Sequence, residues 1–393
     1  MKINYIVDEK TLADICQQMA QCDWIAVDTE FLRTNTYYPE LCLIQIQSCT
    51  DQTYLIDPLA LSKASLQPLW QLFSHPNVTK VFHSARQDLE VLYLASGQLP
   101  TPIFDTQIAA LFLGYGDSVG FAKLVENLLG TSLAKTQTRT DWRQRPLNSE
   151  QLQYAAEDVL YLAPLYQKLQ QQLTTEQLSV LEEDFKALQN PALYLTSPES
   201  AADKLLENRH LSPKQMAIVH ALAAWREQHA QTLNQPRKWV LTDELIYNLA
   251  KRPPKTVQAL YKLPQLKPSD IQQFGETWID LIDQVFAHPE SWPKKRAKPP
   301  KLTSQQQKLS LLIQAWIQQV AEAYQIPVNH LLHKSQLAQL ILTYCDPLKV
   351  EKHQKILQGW RHLLIEQPIQ ALCQQQACLK IEDGTFKLEA YER

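Results

Sequence analysis

Through the first 170 residues, short apolar runs alternate with stretches of helical period. NYIV, WIAVDTEF, LCLIQIQ, TYLIDP and TKVFHS read as strands, since runs of about 4–8 β-branched or aromatic residues bounded by turn formers mark buried strands. TLADICQQMA and LQPLWQLF repeat apolar residues at helical spacing, so this part is α/β with a mixed sheet. From about residue 170 onward almost everything has helical period, interrupted by prolines at 189–198 and 289–300. The stretch AWIQQVAEAYQIPVNHLLHKSQLAQLI repeats the layout of AWREQHAQTLNQPRKWVLTDELIYNLA, an internal duplication of a helical unit. The end, CLKIEDGTFKLEAYER, alternates around Asp383 and Gly384 and predicts a hairpin that packs on a helical neighbour.

The same pattern places the chemistry. Asp28 and Glu30 close the strand WIAVDTEF and point to one side, with Thr29 opposite. Two carboxylates held together repel, and a shared hard divalent cation relieves them. Asp88 opens the helix DLEVLYLAS just after the strand TKVFHS. Tyr154 and Asp158, four apart in NSEQLQYAAEDVLYL, are neighbours on one helix face that Asn148 or Ser149 can cap. Each element alone is commonplace; their conjunction in this order points to a two-metal phosphodiesterase.

The conjunction resembles the DEDD exonucleases of the ribonuclease H-like fold, in the branch with tyrosine in its third motif, through residues 1 to about 170. VDTEF running into YYPELCLIQIQ, KVFHSARQDLEVL followed by PIFDTQIAALFLG, and KTQTRTDWRQRPLNSEQLQYAAEDVLYL look most like the bacterial ribonuclease D type. The resemblance implies that Asp28, Glu30, Asp88, Tyr154 and Asp158 are catalytic, and that the four acids hold two divalent ions, Mg²⁺ or Mn²⁺. Asp28, Glu30 and Asp158 would hold the ion that serves the attacking water, Asp28 and Asp88 the second, and Tyr154 would orient the water. It also implies 3′-to-5′ removal of 5′-mononucleotides from RNA, with precursor tRNA or another structured RNA with a 3′ tail as substrate. Phe31 and Gln45 would border the terminal nucleotide.

Trp225, Arg226, Val240, Asp243, Leu245, Leu249, Ala250 and the prolines 253 and 254 resemble the HRDC domain, a helical nucleic-acid-binding module. The expected organisation is an exonuclease domain at 1–190, an HRDC domain at 208–288, a Pro/Lys-rich linker at 289–303, a second, diverged HRDC-like domain at 304–376, and a hairpin and tail at 377–393. Lys238, Lys251, Arg252, Lys255 and Lys262 in the first helical unit, and Lys294, Lys295, Arg296, Lys298 and Lys301 in the linker, are candidates for phosphate contacts or solvated surface charge. The second unit is poorer in basic residues and reads as a brace. Ahead of the third motif, Lys135, Arg139, Arg143 and Arg145 surround Trp142: either a grip on a strand end, or core with locally paired arginines.

Composition narrows the reading. The net charge of −3 hides an asymmetry, 13 Lys+Arg against 23 Asp+Glu in residues 1–200 and 25 against 18 in 201–393, which suits a metal site tethered to a polyanion-binding part. With 8 glycines in 393 residues and no G-x-G-x-x-G, no phosphate-cradling loop for ATP is expected; GYGDSVG at 114–120 reads as a helix-joining loop. The cysteines at 16, 22, 42, 49, 345, 373 and 378 form no zinc spacing and read as reduced thiols of a cytoplasmic protein. No signal core and no membrane span are expected. A monomer is expected. Two rival functions share these features: a DNA exonuclease with the same site, and a non-catalytic RNA-binding scaffold.

Overall fold

The protein is described from a computed structural model covering residues 3–116, 118–133, 140–207, 209–294, 301–346 and 356–391. Strands β1 (Ile3–Ile6), β2 (Trp24–Leu32), β3 (Glu40–Ser48), β4 (Thr53–Ile56), β5 (Thr79–Phe82) and β6 (Ile103–Asp105) form one mixed sheet in the order β1-β4-β3-β2-β5-β6. β3 runs antiparallel to both β2 and β4, and the remaining pairs are parallel. β6 escapes the sequence pattern because three residues are too few to display a period.

Pleating gives the sheet two faces. Asp28 pairs with Gln45 and Glu30 with Leu43, so these side chains share a face. Over it lies the long helix α6 (Ser149–Gln172), which packs on β2, β3 and β4 and shares a buried cluster of Leu43, Leu55, Trp142, Leu147 and Ala155. Asn148 and Gln151 close a capping box at its start, satisfying amides that a helix leaves unpaired. The helices α1 (Glu9–Met19), α2 (Gln67–Phe73), α3 (Arg86–Ser96), α4 (Thr106–Leu111), α5 (Phe121–Leu129) and α7 (Thr175–Leu188) complete the flanking layers.

One expectation is corrected: Cys22 and Cys49 form a disulfide, with Cα atoms 5.8 Å apart, so not all seven thiols are free. The pairing of Ile25 with Ser48 brings the residues flanking those two strand ends together.

The helical part repeats itself. After α8 (Asp203–Leu206), α9 (Pro213–Leu233) ends in a left-handed Asn234 and is followed by Pro236, the short α10 (Arg237–Val240), an extended Leu241 and α11 (Asp243–Lys251). Then come α12 (Val257–Leu260) and α13 (Pro268–Ala287). Further on, α14 (Ser304–Tyr324) ends in a left-handed Gln325, followed by Pro327, the short α15 (Val328–Leu331), an extended Leu332 and α16 (Lys334–Tyr344). Trp225 and Trp316, Val240 and Leu331, Leu241 and Leu332 occupy matching places, all apolar and inward.

The two copies are buried differently. The first unit has its own core around Ile218, Leu222, Leu249 and Trp278. The core of the second, around Ile313, Trp316 and Leu340, is continuous with that of the sheet and its helices. Segments Gly359–Arg361, His362–Glu366 (a π turn) and Gln367–Cys373 pack beside α16 and α7. The hairpin β7 (Ala377–Glu382) and β8 (Thr385–Ala390) turns through Asp383 and Gly384, both at positive φ. It leans on α14, where Gln319 donates to the Phe386 carbonyl at 2.9 Å and accepts from the Phe386 amide at 2.6 Å.

Candidate active site

Asp28, Glu30 and Asp158 each present a carboxylate oxygen, and the three oxygens lie within 4.8 Å of one another. β2 supplies the first two; α6, crossing the same face, supplies Asp158 one turn after Tyr154. A bulge between Glu30 and Phe31 shifts the register with β3, a device that re-aims side chains at a strand end. Asp28 and Glu30 line a cleft of about 690 Å³ together with Phe31, Arg33, His83, Asp88, Trp142 and Tyr154, while Asp28 and Asp158 line a smaller recess with Tyr154, His83 and Phe121.

The electrostatics of this set are unfavourable as it stands. Burial raises the Asp28 carboxyl to about 6 and Asp158 to about 8, the latter aided by repulsion from Asp28. Glu30 is pushed higher still, by burial and then by Asp28, Asp158 and Asp88. Burial and the same neighbours, Asp158 first among them, lift the Tyr154 phenol. A cluster of hard oxygen donors that resists ionising alone fits a divalent cation, which would remove the repulsion.

Asp88 arrives from the other side of the sheet. Thr29, which pleating turns away from Asp28, donates its hydroxyl to Asp88 Oδ1 at 2.6 Å. Burial raises this carboxyl well above its usual range, followed by repulsion from Asp28. Its helix starts where it does because of Asp105, a buried residue to which the sequence reading gave no role. One carboxylate accepts the amides of Ser84 (3.0 Å) and Ala85 (2.8 Å) and caps α4 through Gln107 (2.8 Å). Ser84 is thereby held at φ +61°, a conformation that non-glycine residues seldom adopt. The tight turn between β5 and α3 sets Asp88 at the cleft.

The predicted contact residues separate. Phe31 and Trp142 line the cleft, and Trp142 is also core, 3% exposed and packed on the Tyr154 ring at 6.2 Å. Arg143 is exposed and pairs with Glu40 at 3.3 Å. Arg145 is not available to a nucleic acid: it grips Asp57 through Nε (2.6 Å) and Nη2 (2.8 Å) and donates to the carbonyls of Cys42 and Trp142. It acts as a clamp that ties the Trp142 segment to the sheet. Gln45 is fully buried, with neither polar atom of its amide hydrogen-bonded, so it offers no surface to a nucleotide. Lys238 and Arg252 are exposed on the first helical unit, away from the carboxylates' lining. Lys135, Arg139, Lys295, Arg296 and Lys298 lie outside the described residues.

The connection between β2 and β3 carries a contact that sequence reasoning missed. Tyr37, 7% exposed, donates its hydroxyl to Glu227 of α9; Arg237 of α10 donates to the same carboxylate (2.6 Å) and to the Tyr37 oxygen (2.9 Å). Asn234 Oδ1 accepts the amides of Tyr37 (3.1 Å) and Tyr38 (3.0 Å). No local signal could have found it, since the partners are nearly 200 residues apart.

Comparison with known proteins bears on both parts of the chain. A 3′-5′ exonuclease family model matches residues 3–174, and an HRDC domain model matches residues 215–282. Ribonuclease D of Pseudomonas paraeruginosa is 35% identical over 361 residues, 92% of this chain and 94% of that one. Ribonuclease D of Nitrobacter hamburgensis is 35% identical over 97% of this chain and 98% of its own. Among solved structures, Escherichia coli RNase D, described as an exoribonuclease involved in structured RNA processing, superposes with a TM-score of 0.78 at 30% identity, covering 95% of this chain and 99% of that one.

Proposed function

The chain belongs to the ribonuclease D family and is a 3′-to-5′ exoribonuclease, and on that premise we propose how its residues divide the work. Asp28, Glu30, Asp88 and Asp158 hold two divalent ions, Mg²⁺ or Mn²⁺. The observation that carries this is the crowding of three carboxylates within 4.8 Å at a strand end, in a setting that disfavours their charge. When bound, such ions supply charge relief at the phosphate and acidify the attacking water.

The chain's own residues do the rest. Asp28 and Glu30, fixed by β2, and Asp158, fixed by α6, set the ligand positions; Thr29 orients Asp88 through its hydroxyl. Tyr154, one turn before Asp158 on α6 and packed on Trp142, orients the water; its phenol, pushed above its ordinary value, is no base at neutral pH. Phe31 and Trp142 form the wall against the terminal nucleotide.

The RNA is precursor tRNA or another structured RNA with a single-stranded 3′ tail, and the products are 5′-mononucleotides. The chain acts as a cytoplasmic monomer; among the described residues no helix is long and apolar enough to cross a membrane. Residues 1–190 form the exonuclease domain, 208–288 the HRDC domain and 304–376 a second, diverged copy, supported by the matched caps and turns of α9–α11 and α14–α16.

A 5′-labelled RNA with a 3′ tail, incubated with Mg²⁺ or Mn²⁺, should give a descending ladder with wild type and none with Asp28→Asn. A single internal cut would overturn the exonuclease assignment, and faster loss of a matched DNA would overturn the preference for RNA.

A further inference from the structure

The first helical unit carries a cavity of about 390 Å³ that none of the chemistry above uses. Its floor is apolar, from Leu241, Leu245 and Leu266; its rim carries Lys238 and Lys267, with Asp270 the one acid among the lining residues. Trp239 forms one wall and is 59% exposed, an unusual position for the largest side chain in a protein. Along residues 238–270, Lys238, Lys251, Arg252, Lys255, Lys262 and Lys267 outnumber Asp243, Glu244 and Asp270, and Asp243 is already paired with Arg226 at 2.6 Å.

We propose that Trp239 and its cavity are a stacking subsite for a base of the single-stranded RNA upstream of the scissile end, with Lys238 and Lys267 on the flanking phosphates. An exposed indole beside lysines suits any nucleobase, since every base has a π face and every linkage a charge.

Two observations favour this occupant. The internal repeat supplies a control: the residue matching Trp239 in the second unit is His330, which is turned inward onto Asp184 (3.3 Å) and the Phe112 ring (5.9 Å). The same turn is consumed by packing in one copy and left open in the other. The open copy is also fixed relative to the cleft. Arg237, two residues before Trp239, is bonded to Tyr37, and Tyr37 lies within about 14 Å of chain from the cleft residue Arg33. The segment that follows the cleft strand and the turn that carries Trp239 are thus tied by one hydrogen-bonded cluster.

This inference rests on the ribonuclease assignment, and its test separates the two. Binding of a 5′-labelled adenine dinucleotide and dodecanucleotide is measured in EDTA, so that no hydrolysis occurs, with circular dichroism as a check on folding. Trp239→Ala should weaken the dodecanucleotide about tenfold, as expected for one lost stack. The ratio on the dinucleotide should stay near one. Trp239→Phe should restore most of the loss, and Lys238→Ala with Lys267→Ala should flatten the salt dependence. Wild-type affinity of Trp239→Ala for the dodecanucleotide would overturn the subsite and leave the cavity to another partner. Equal losses on both lengths would also overturn it. Failure of the wild type to bind or cleave RNA would instead overturn the ribonuclease assignment and this proposal with it.

Discussion

Asp28, Glu30 and Asp158 crowd together at one strand end and are lifted above the ordinary carboxylate range by burial and by one another. Asp184 on α7 and Glu366 in the last helical segments are also shielded from solvent and behave in the opposite way. Burial raises Asp184, but His330 and Arg361, the latter at 2.8 Å, outweigh it and hold the carboxyl low. For Glu366 burial is again outweighed, by the Tyr344 hydroxyl, the amides of Ile356 (2.9 Å) and Leu357 (2.7 Å), and His362. Acids that hold the fold together are surrounded by donors. Acids left short of donors are waiting for a cation, and the shortage marks the site.

The largest effect that sharpens this contrast is on activity. Asp158→Asn should reduce hydrolysis by at least on the order of 10³-fold while leaving the metal-free melting temperature equal to or above that of wild type. Tyr154→Phe should retain measurable activity if, as proposed, the phenol orients the water and does not bind the cation. A metal-free melting temperature that fell with Asp158→Asn would mean that the charged acid is stabilised by something other than metal.

The converse change belongs to the braced set. The Trp360 amide donates to Glu183 Oε2 at 2.7 Å, and Gly359, at φ +58°, leaves room for that carboxylate. A Cβ there would lie 1.9 Å from the same oxygen. Gly359→Ala should therefore cost about 2 kcal/mol, through the displaced hydrogen bond and the left-handed backbone, measured by urea unfolding. Mn²⁺ affinity by calorimetry should be unchanged. A parallel loss of Mn²⁺ affinity would show that the brace and the site are coupled.

A smaller effect separates the sets by pH. Above the ordinary carboxylate range the folded chain keeps a proton on Asp28 up to about 6 and on Asp158 up to about 8 that the unfolded chain has released. Metal-free stability should therefore fall as pH rises through that window. Asp184 and Glu366, with lowered values, contribute fully above their unfolded range and lose their contribution as pH falls through the folded value. In EDTA the melting temperature should peak near about pH 5 and drop by a few degrees toward about pH 8. Mn²⁺ should restore the difference at the higher pH and do little at the lower. A flat profile in EDTA would remove the claim that the cluster is strained without metal.

How far the sequence could carry this contrast depended on where each partner lies. Asp28, Glu30, Tyr154 and Asp158 were legible because strand and helix periods decide which side chains share a face, and Asp88 because it opens a helix just after a strand-like run. The route by which Asp88 reaches the cleft was not, since it needs Thr29 across the sheet and Asp105 from a three-residue strand without a period. Arg145 was open to two readings because its partner Asp57 is 88 residues away, and only the fold chooses the clamp over the substrate. The brace is harder still: Glu183 and Asp184 look like ordinary helix surface in LEEDF until Trp360 and Arg361 arrive from 177 residues further on.

The smallest predicted effect tests whether the shortage of donors extends beyond the acids. Gln45 stands opposite Asp28 on β3, fully buried, and both ends of its amide lack a hydrogen-bond partner. A buried polar group without a partner costs about 1–3 kcal/mol, and an apolar residue of similar size removes that cost. Gln45→Leu should therefore raise metal-free stability by about 1 kcal/mol, read as a higher urea midpoint with an unchanged slope. Gln45→Glu, which adds a further buried charge beside Asp28, should lower it in EDTA and lower it less with Mn²⁺ present. If Gln45→Leu is destabilising instead, the amide has a partner in solution such as a buried water, and the line between supplied and unsupplied groups would run through the carboxylates alone.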